Sequence, residues 1–140
     1  MVDRDRFLSK IAELDSYLEE IKTIAPSSLA EYRRVEKRRS CERLLQLSVE
    51  TLIDACKLLV IGQKLGIPSE ETDLFEKLGE KSSLPPEAID RLREMRAFRN
   101  ILVHDYAQIN DQIVFAMIQN RLGDFTKVKQ ALLKTFDQSS

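Results

Sequence analysis

The sequence predicts an all-α protein, arranged as an up-and-down four-helix bundle with one additional short helix. Three observations favour this fold class. Apolar residues recur at alternating steps of three and four along most of the chain, which places them on one face of a helix. The 140 residues include only four glycines and four prolines, so few positions favour turns. No stretch has the apolar–polar alternation of a half-buried strand. The length predicts a single domain over residues 1–140.

The first two predicted helices cover the N-terminal part of the chain, up to about Lys64. The first extends from about Asp3 to Ala25, with an apolar face formed by Phe7, Ile11, Leu14, Leu18, Ile21 and Ala25. Pro26 ends it, and Ser27 or Ser28 is a suitable N-cap for the second helix. That second helix is expected to continue without interruption from Leu29 to about Lys64, roughly 50 Å. Its stripe consists of Cys41, Leu45, Ser48, Leu52, Ala55 and Leu59.

Three further helices complete the predicted fold. The additional short helix is Glu70–Gly79, which carries Leu74, Phe75 and Leu78. The next long helix starts near Pro86, which suits a first helical turn because its missing N–H donor is unused there. The last helix extends from Asp111 to Phe136 and is capped by Asn110 or Asp111. Gly123 is expected to weaken this helix without ending it.

The composition limits the cellular compartments and the classes of ligand that we expect for this protein. The formal net charge of -1 argues against an avid, non-specific nucleic-acid binder but leaves room for a local basic groove. Two cysteines, Cys41 and Cys56, do not make a disulfide scaffold and favour a reducing compartment. Two cysteines and a single histidine, with no CxxC pair, argue against a structural zinc site, and we expect no metal. The mixed charges of the N-terminus do not resemble a signal peptide, and the longest apolar run, Leu58–Ile61, is too short to cross a bilayer. We therefore expect a cytoplasmic protein with no membrane contact.

A basic stretch, Tyr32–Arg39, begins the second predicted helix. It has two interpretations. It is either a solvated helix end, as is usual for Lys and Arg, or a surface that steers phosphates toward the protein. Arg38 and Arg39 are the candidates for the second role.

The stretch Arg96–Tyr106 carries the chemistry, and it contains the only histidine, His104. Arg99 lies seven positions after Leu92 and therefore interrupts the apolar face of its own helix. A buried guanidinium needs a negative partner. That partner is either a carboxylate of the second helix, such as Glu42 or Asp54, or a phosphate.

His104 follows Arg99 by five positions, so the two side chains leave an ideal helix about 140° apart. They converge if the helix ends or distorts between them, or if a symmetric partner presents a second copy of the same face. An imidazole that titrates near neutrality can move a proton, and an arginine can clamp phosphate oxygens. The 2′-hydroxyl of RNA can itself act as the nucleophile, so such a site needs no metal to activate a water molecule. Each residue taken alone also suits a structural role.

Together these residues resemble a known family. The stretch Arg99–His104 is similar to the Arg-x4-His motif of HEPN ribonucleases, including a polar residue, Asn100, after the arginine. With Asp105 and Tyr106 it resembles the Arg-x4-His-x-Tyr signature of HepT toxins, the HEPN halves of HepT–MntA toxin–antitoxin pairs. The similarity covers most of the chain and includes the segments Glu42–Gln46, Glu50–Asp54, Leu74–Leu78 and Leu102–Ile109.

The resemblance implies a HEPN-like fold and a metal-independent RNA endonuclease toxin without a cofactor. Arg99 would bind and polarise the scissile phosphate. His104 would transfer protons during attack of the 2′-hydroxyl, leaving a cyclic phosphate, and Asn100 would orient the pair or the substrate. HEPN proteins build this site across a homodimer or a higher homo-oligomer, which agrees with the divergence of the two side chains.

The resemblance also implies a protein partner. An MntA-type nucleotidyltransferase antitoxin would attach adenylate to Tyr106, and the added negative charge and bulk would keep RNA out. Arg96, together with Arg38 and Arg39, would steer the RNA. Two alternatives remain: a non-catalytic helical partner or substrate-binding module of a nucleotidyltransferase, and a purely structural helical dimer.

Overall fold

The computed structural model describes residues 4–138, apart from the side chain of Tyr106, and this part of the chain forms seven α-helices and one short 3-10 helix. We number them α1 Arg4–Ile24, α2 Leu29–Tyr32, α3 Val35–Gly62, α4 Glu71–Lys81, α5 Pro86–His104, α6 Asp111–Asn120 and α7 Gly123–Gln138, with the 3-10 helix at Tyr106–Gln108. The described residues contain no strand. The predicted all-α helical bundle is confirmed.

Helix α3 is the centre of the molecule, and α1, α4, α5 and α7 all pack against it. Every residue of its predicted stripe is buried. The predicted face of α1 is buried from Phe7 to Ile21, whereas Ala25 lies beyond the helix end and is exposed. The rings of Phe7 and Phe136 stack at 4.3 Å and join the first helix to the last. The apolar residues spaced three and four positions apart in α1 and α3 therefore identify the main core contacts correctly.

The prediction of one unbroken second helix is wrong. The chain leaves the helix after Tyr32, and Arg34 is extended (φ -63°, ψ 133°) before α3 begins at Val35. Ser28 caps α2 by accepting a hydrogen bond from the Glu31 amide at 3.1 Å. The break has a tertiary cause, because it accompanies full burial of Tyr32 beside Phe115 of α6, at a centroid distance of 6.4 Å. The helix propensities of the local residues do not depend on such a tertiary contact, so they could not predict the break.

The prediction of one last helix is also wrong, because the chain breaks at Arg121 and Leu122 and Gly123 begins α7. Arg121 pairs with Glu94 of α5 and with Asp124 at the start of α7. The break lets α6 pack on α2 while α7 packs on α3 and α5, which a straight helix would not do. The predicted cap is correct: the Asn110 side chain accepts hydrogen bonds from the amides of the first turn of α6.

The loop between α3 and α4 sets the position of α4. Gly66 has a φ of +116°, a conformation that favours glycine. Helix α4 then packs against α3 and α5, and its predicted apolar residues Leu74, Phe75 and Leu78 are all buried. Its first residue, Glu71, consequently faces α5.

Two further features concern the chemistry of the chain. Cys41 and Cys56 are both on α3, free and buried, and burial raises the pKa of each thiol, that of Cys56 to about 12. No helix within residues 4–138 is both long enough and apolar enough to cross a membrane. In the same range, no group of three His, Cys, Asp or Glu side chains is arranged to hold a metal ion.

Candidate active site

Helix α5 carries most of the predicted site. Pro86 occupies its first turn, as predicted, and the helix ends at His104, where Asp105 is the C-cap. Arg96, Arg99 and Asn100 lie on the last three turns. The α-helix continues without interruption from Arg99 to His104. Of the ways in which the two side chains could converge, a helix end or a distortion between them is therefore excluded, and a second copy of the chain remains.

Arg99 has polar contacts with three described side chains. Only 11% of its side chain is exposed. Its Nε donates a hydrogen bond to Asn100 Oδ1 at 3.0 Å, its Nη1 to Glu50 Oε2 at 3.5 Å, and its Nη2 to Glu71 Oε1. Among the described side chains, these contacts engage three of the five guanidinium N–H groups, so two donors remain.

The predicted identity of the partner carboxylates is wrong, although the predicted need for one is confirmed. Glu42 lies near Arg39 at 3.9 Å, and Asp54 pairs with Lys10 at 3.5 Å. The residue of α3 that meets Arg99 is Glu50, which lies between them in sequence. Spacing along α3 gives the face of each carboxylate but not the height at which α5 crosses it.

Glu71 is the site residue that sequence reasoning missed. The same oxygen, Oε1, accepts a hydrogen bond from Arg99 and one from Arg96 Nε, the latter at 2.9 Å. An acidic residue in the first turn of a short helix is usually explained by the helix dipole, so no local signal distinguished Glu71. We call the four side chains Glu50, Glu71, Arg96 and Arg99 the arginine–carboxylate cluster. Its formal charges cancel.

His104 is exposed at the end of α5. The structure does not bring it onto the face of Arg99, because an offset of five helical positions turns the two side chains about 140° apart. Tyr106 follows in the 3-10 helix, where the Gln108 amide donates to the Asp105 carbonyl at 2.9 Å. The helix therefore ends before Tyr106, and the side chain of Tyr106 is outside the part that the structure describes.

The three basic residues proposed to steer RNA have different environments. Arg96 is engaged by Glu71. Arg38 is half-buried in the first turn of α3, and Arg39 leaves 64% of its side chain exposed beside Glu42. Of the three, Arg39 is the most accessible to a ligand.

Comparison with known proteins identifies the family. The model of the family described as "HepT-like: Ribonuclease HepT-like" matches residues 14–132, which include both the arginine–carboxylate cluster and the Arg-x4-His-x-Tyr stretch. The chain belongs to this HepT-like family. The resemblance drawn from the sequence is thereby confirmed.

Two curated proteins named HepT are similar in sequence. The mRNA nuclease HepT of Shewanella oneidensis is 37% identical over 81 residues, 58% of this chain and 61% of that protein. This chain thus spans about three fifths of that relative in the alignment. The tRNA nuclease HepT of Aphanizomenon flos-aquae is 29% identical over 118 residues, 84% of this chain and 80% of that protein.

Solved structures from toxin–antitoxin complexes contain chains with the same fold. A chain from a toxin–antitoxin complex with AMP-PNP superposes with a TM-score of 0.85 at 27% identity, over 93% of this chain and 99% of that one. A chain from the tri-AMPylated Shewanella oneidensis HEPN toxin in complex with MNT antitoxin also gives a TM-score of 0.85 at 27% identity, over 94% and 99%. The HEPN-like bundle is therefore established for this chain.

Proposed function

We propose that this chain is a metal-independent endoribonuclease toxin of a toxin–antitoxin pair. The observation that carries the proposal is a guanidinium fixed on α5, with two donors left, five residues before an exposed imidazole in a HepT-like chain. The relatives named as mRNA and tRNA nucleases support the same activity. RNA in general is the proposed substrate class.

The proposed reaction is an internal transesterification. Arg99 binds the non-bridging oxygens of the scissile phosphate and stabilises the charge that develops on them. His104 accepts the proton of the 2′-hydroxyl as its oxygen attacks phosphorus, and the bond to the 5′-oxygen breaks. The 5′-oxygen leaves as a hydroxyl after it takes a proton from the protonated imidazole of His104 in a second copy of the chain, so the products are a 2′,3′-cyclic phosphate and a 5′-hydroxyl. Asn100 orients Arg99, consistent with its hydrogen bond to Nε.

The proposed partner is an MntA-type nucleotidyltransferase antitoxin, as in the solved relatives that contain an MNT antitoxin. The enzyme would transfer adenylate from ATP to the phenol oxygen of Tyr106 and release pyrophosphate. Each adenylate adds a negative charge two residues from His104, which opposes the approach of RNA. These reactions and the two free thiols are consistent with the cytoplasm, which we propose as the location.

The test of nuclease activity compares three variants. The purified protein is incubated with 5′-labelled RNA in EDTA, alongside Arg99→Ala, His104→Ala and the control Arg93→Ala, an exposed arginine on the same helix. We expect cleavage by the wild type and by Arg93→Ala, and a loss of about a hundredfold or more in the other two. Equal melting temperatures would show that folding is retained. Cleavage that requires magnesium, or that persists in His104→Ala, would refute the proposal.

The test of modification uses mass spectrometry after incubation with the partner enzyme and ATP. We expect a mass increase in multiples of one adenylate, retained in Tyr17→Phe and lost in Tyr106→Phe. Tyr32 is fully buried and should not react. A gain that persists in Tyr106→Phe would contradict the assignment.

One observation favours the alternative of a non-catalytic module that serves a nucleotidyltransferase. Two carboxylates already neutralise Arg99, as expected for a structural arginine. The two assays above distinguish the two functions. A non-catalytic module would still be adenylated at Tyr106, but the labelled RNA would stay intact with both the wild type and His104→Ala.

A further inference from the structure

The arginine–carboxylate cluster is built around one carboxylate rather than around an ordinary ion pair. Glu71 Oε1 accepts from two guanidinium groups, and 25% of the Glu71 side chain is exposed. Glu50 lies farther from Arg99, at 3.5 Å, is 36% exposed, and also accepts from Gln46 at 3.2 Å. Glu71 is therefore the stronger constraint on Arg99.

The contacts fix the plane of the guanidinium. Asn100, Glu50 and Glu71 bind three different nitrogens of Arg99, so rotation about the last side-chain bonds would break at least one hydrogen bond. The two remaining N–H groups then point in set directions. A planar fork held in this way is prepared to meet a phosphate without further loss of side-chain entropy.

We propose that Glu71 is a positioning residue for ribonuclease catalysis, acting by holding the Arg99 guanidinium in the orientation that binds the scissile phosphate. The inference rests on the proposed function. Glu71 does not touch the RNA in this scheme. Arg96 supports it from the other side, because its Nε holds the shared oxygen in place.

The electrostatics make the proposal distinguishable from a binding role. A carboxylate beside the phosphate site repels the substrate, so removal of its charge should not weaken RNA binding. Loss of orientation should instead slow the chemical step. Positioning therefore predicts a fall in kcat with no rise in KM.

The experiment measures cleavage kinetics for Glu71→Gln and Glu71→Ala in the full-length chain. The matched control is Glu76→Gln, an exposed residue of the same helix. We expect kcat to fall about tenfold in Glu71→Gln and about a hundredfold in Glu71→Ala, with KM unchanged or lower. The control should match the wild type. Glu71→Gln has nearly the volume of the native residue, so it tests the role even if Glu71→Ala does not fold.

A second readout needs neither RNA nor activity. In 15N-labelled protein, the Nε–Hε signal of Arg99 is identified by its loss in Arg99→Lys, and its hydrogen exchange with water is measured. We expect exchange to be several times faster in Glu71→Gln than in the wild type or Glu76→Gln. If the wild type cleaves no RNA, the proposed function fails, and this measurement alone decides whether Glu71 orders Arg99.

Three outcomes would overturn the inference. The first is a kcat within about twofold of the wild type in Glu71→Gln. The second is faster cleavage in that variant, which would identify Glu71 as a group that blocks Arg99 from phosphate. The third is unchanged exchange of the Arg99 signal, which would show that Glu71 does not order the guanidinium.

Discussion

Arg99 brings a permanent positive charge to a position where only 11% of its side chain is exposed. A guanidinium does not lose its proton in proteins, so the surrounding residues have to compensate the charge. Two carboxylates and an amide oxygen do so. The same compensation makes the site electrically neutral, so attraction of RNA has to come from residues outside it.

Arg39 is the best-exposed of the candidates for that attraction. In Arg39→Gln, we expect RNA binding to weaken and the slope of log affinity against log salt to become shallower by about 0.7, the value for one phosphate contact on a single strand. In Arg96→Gln, the slope should change less, because Glu71 already engages that guanidinium. Binding to a 2′-O-methyl RNA at several salt concentrations measures both. A larger slope change in Arg96→Gln than in Arg39→Gln would reverse these assignments.

The two thiols should be inert in the native protein. Cys41 and Cys56 are fully buried, and burial raises the pKa of both, so little thiolate forms at neutral pH. We expect slow reaction with a disulfide reagent in buffer and rapid reaction of both in denaturant. Ser40→Cys, at an exposed position next to Cys41, provides a third thiol that should react at once. Rapid labelling of the native wild type would show that α3 opens readily.

At the scale of single residues, the sequence predicts that Arg99 needs a negative partner but does not predict which residues provide it. The position of Arg99 after Leu92 indicates that a negative partner is needed, and one is present. Glu42 and Asp54 were reasonable candidates on α3, yet Glu50 and the distant Glu71 are the partners. Their choice depends on how α3, α4 and α5 cross, which residue types and spacing do not specify.

Helix α2 shows how a short element depends on its ends. It has four residues, and its first turn is closed by the Ser28 hydroxyl, which accepts from the Glu31 amide at 3.1 Å. Glu31 in turn accepts from the Ser27 hydroxyl at 2.7 Å, and this hydrogen bond lowers the pKa of Glu31. Four residues cannot form a stable helix in isolation, so α2 depends on these caps and on the burial of Tyr32.

We therefore expect Ser28→Ala to lower the free energy of unfolding by about 1 kcal/mol. Urea unfolding followed by circular dichroism measures the loss. Ser9→Ala is the control, because Ser9 is exposed inside α1 and does not cap a helix. A loss equal to that of Ser9→Ala would mean that the burial of Tyr32 alone holds α2.

At the scale of elements, periodicity predicts faces better than it predicts breaks. The apolar faces of α1, α3 and α4 agree with the structure because burial and spacing express the same geometry. The breaks at Arg34 and Arg121 were missed because neither residue is a helix breaker. In both places the chain turns to let a short helix, α2 or α6, pack on the other.

At the scale of the whole molecule, one chain does not by itself bring the two side chains of the motif together. Helix α5 is regular from Arg99 to His104, so the two side chains diverge on it. The exposed apolar residues Ile101 and Ile113 border a small cleft with Phe98 and Ile109 beside the motif. A symmetric second copy facing this surface would bring two arginines and two imidazoles to one site, as the family resemblance implies.

This arrangement predicts how activity depends on subunit composition. If one imidazole of each pair acts as base and the other as acid, a dimer with a single His104→Ala subunit is inactive. Wild-type and His104→Ala chains, co-refolded in equal amounts and confirmed as dimers by sedimentation, should then retain about one quarter of the wild-type activity, the fraction of dimers with two intact subunits.

The same mixture separates this mechanism from simpler ones. About three quarters of the activity would remain if either imidazole sufficed, because only dimers without an intact subunit would be inactive, and co-refolding with the control Arg93→Ala should leave activity unchanged. A stable, active monomer would contradict the composite site directly. Arg99 and His104 lie about 140° apart on one helix. The measurement therefore decides whether two copies of α5 together form the site.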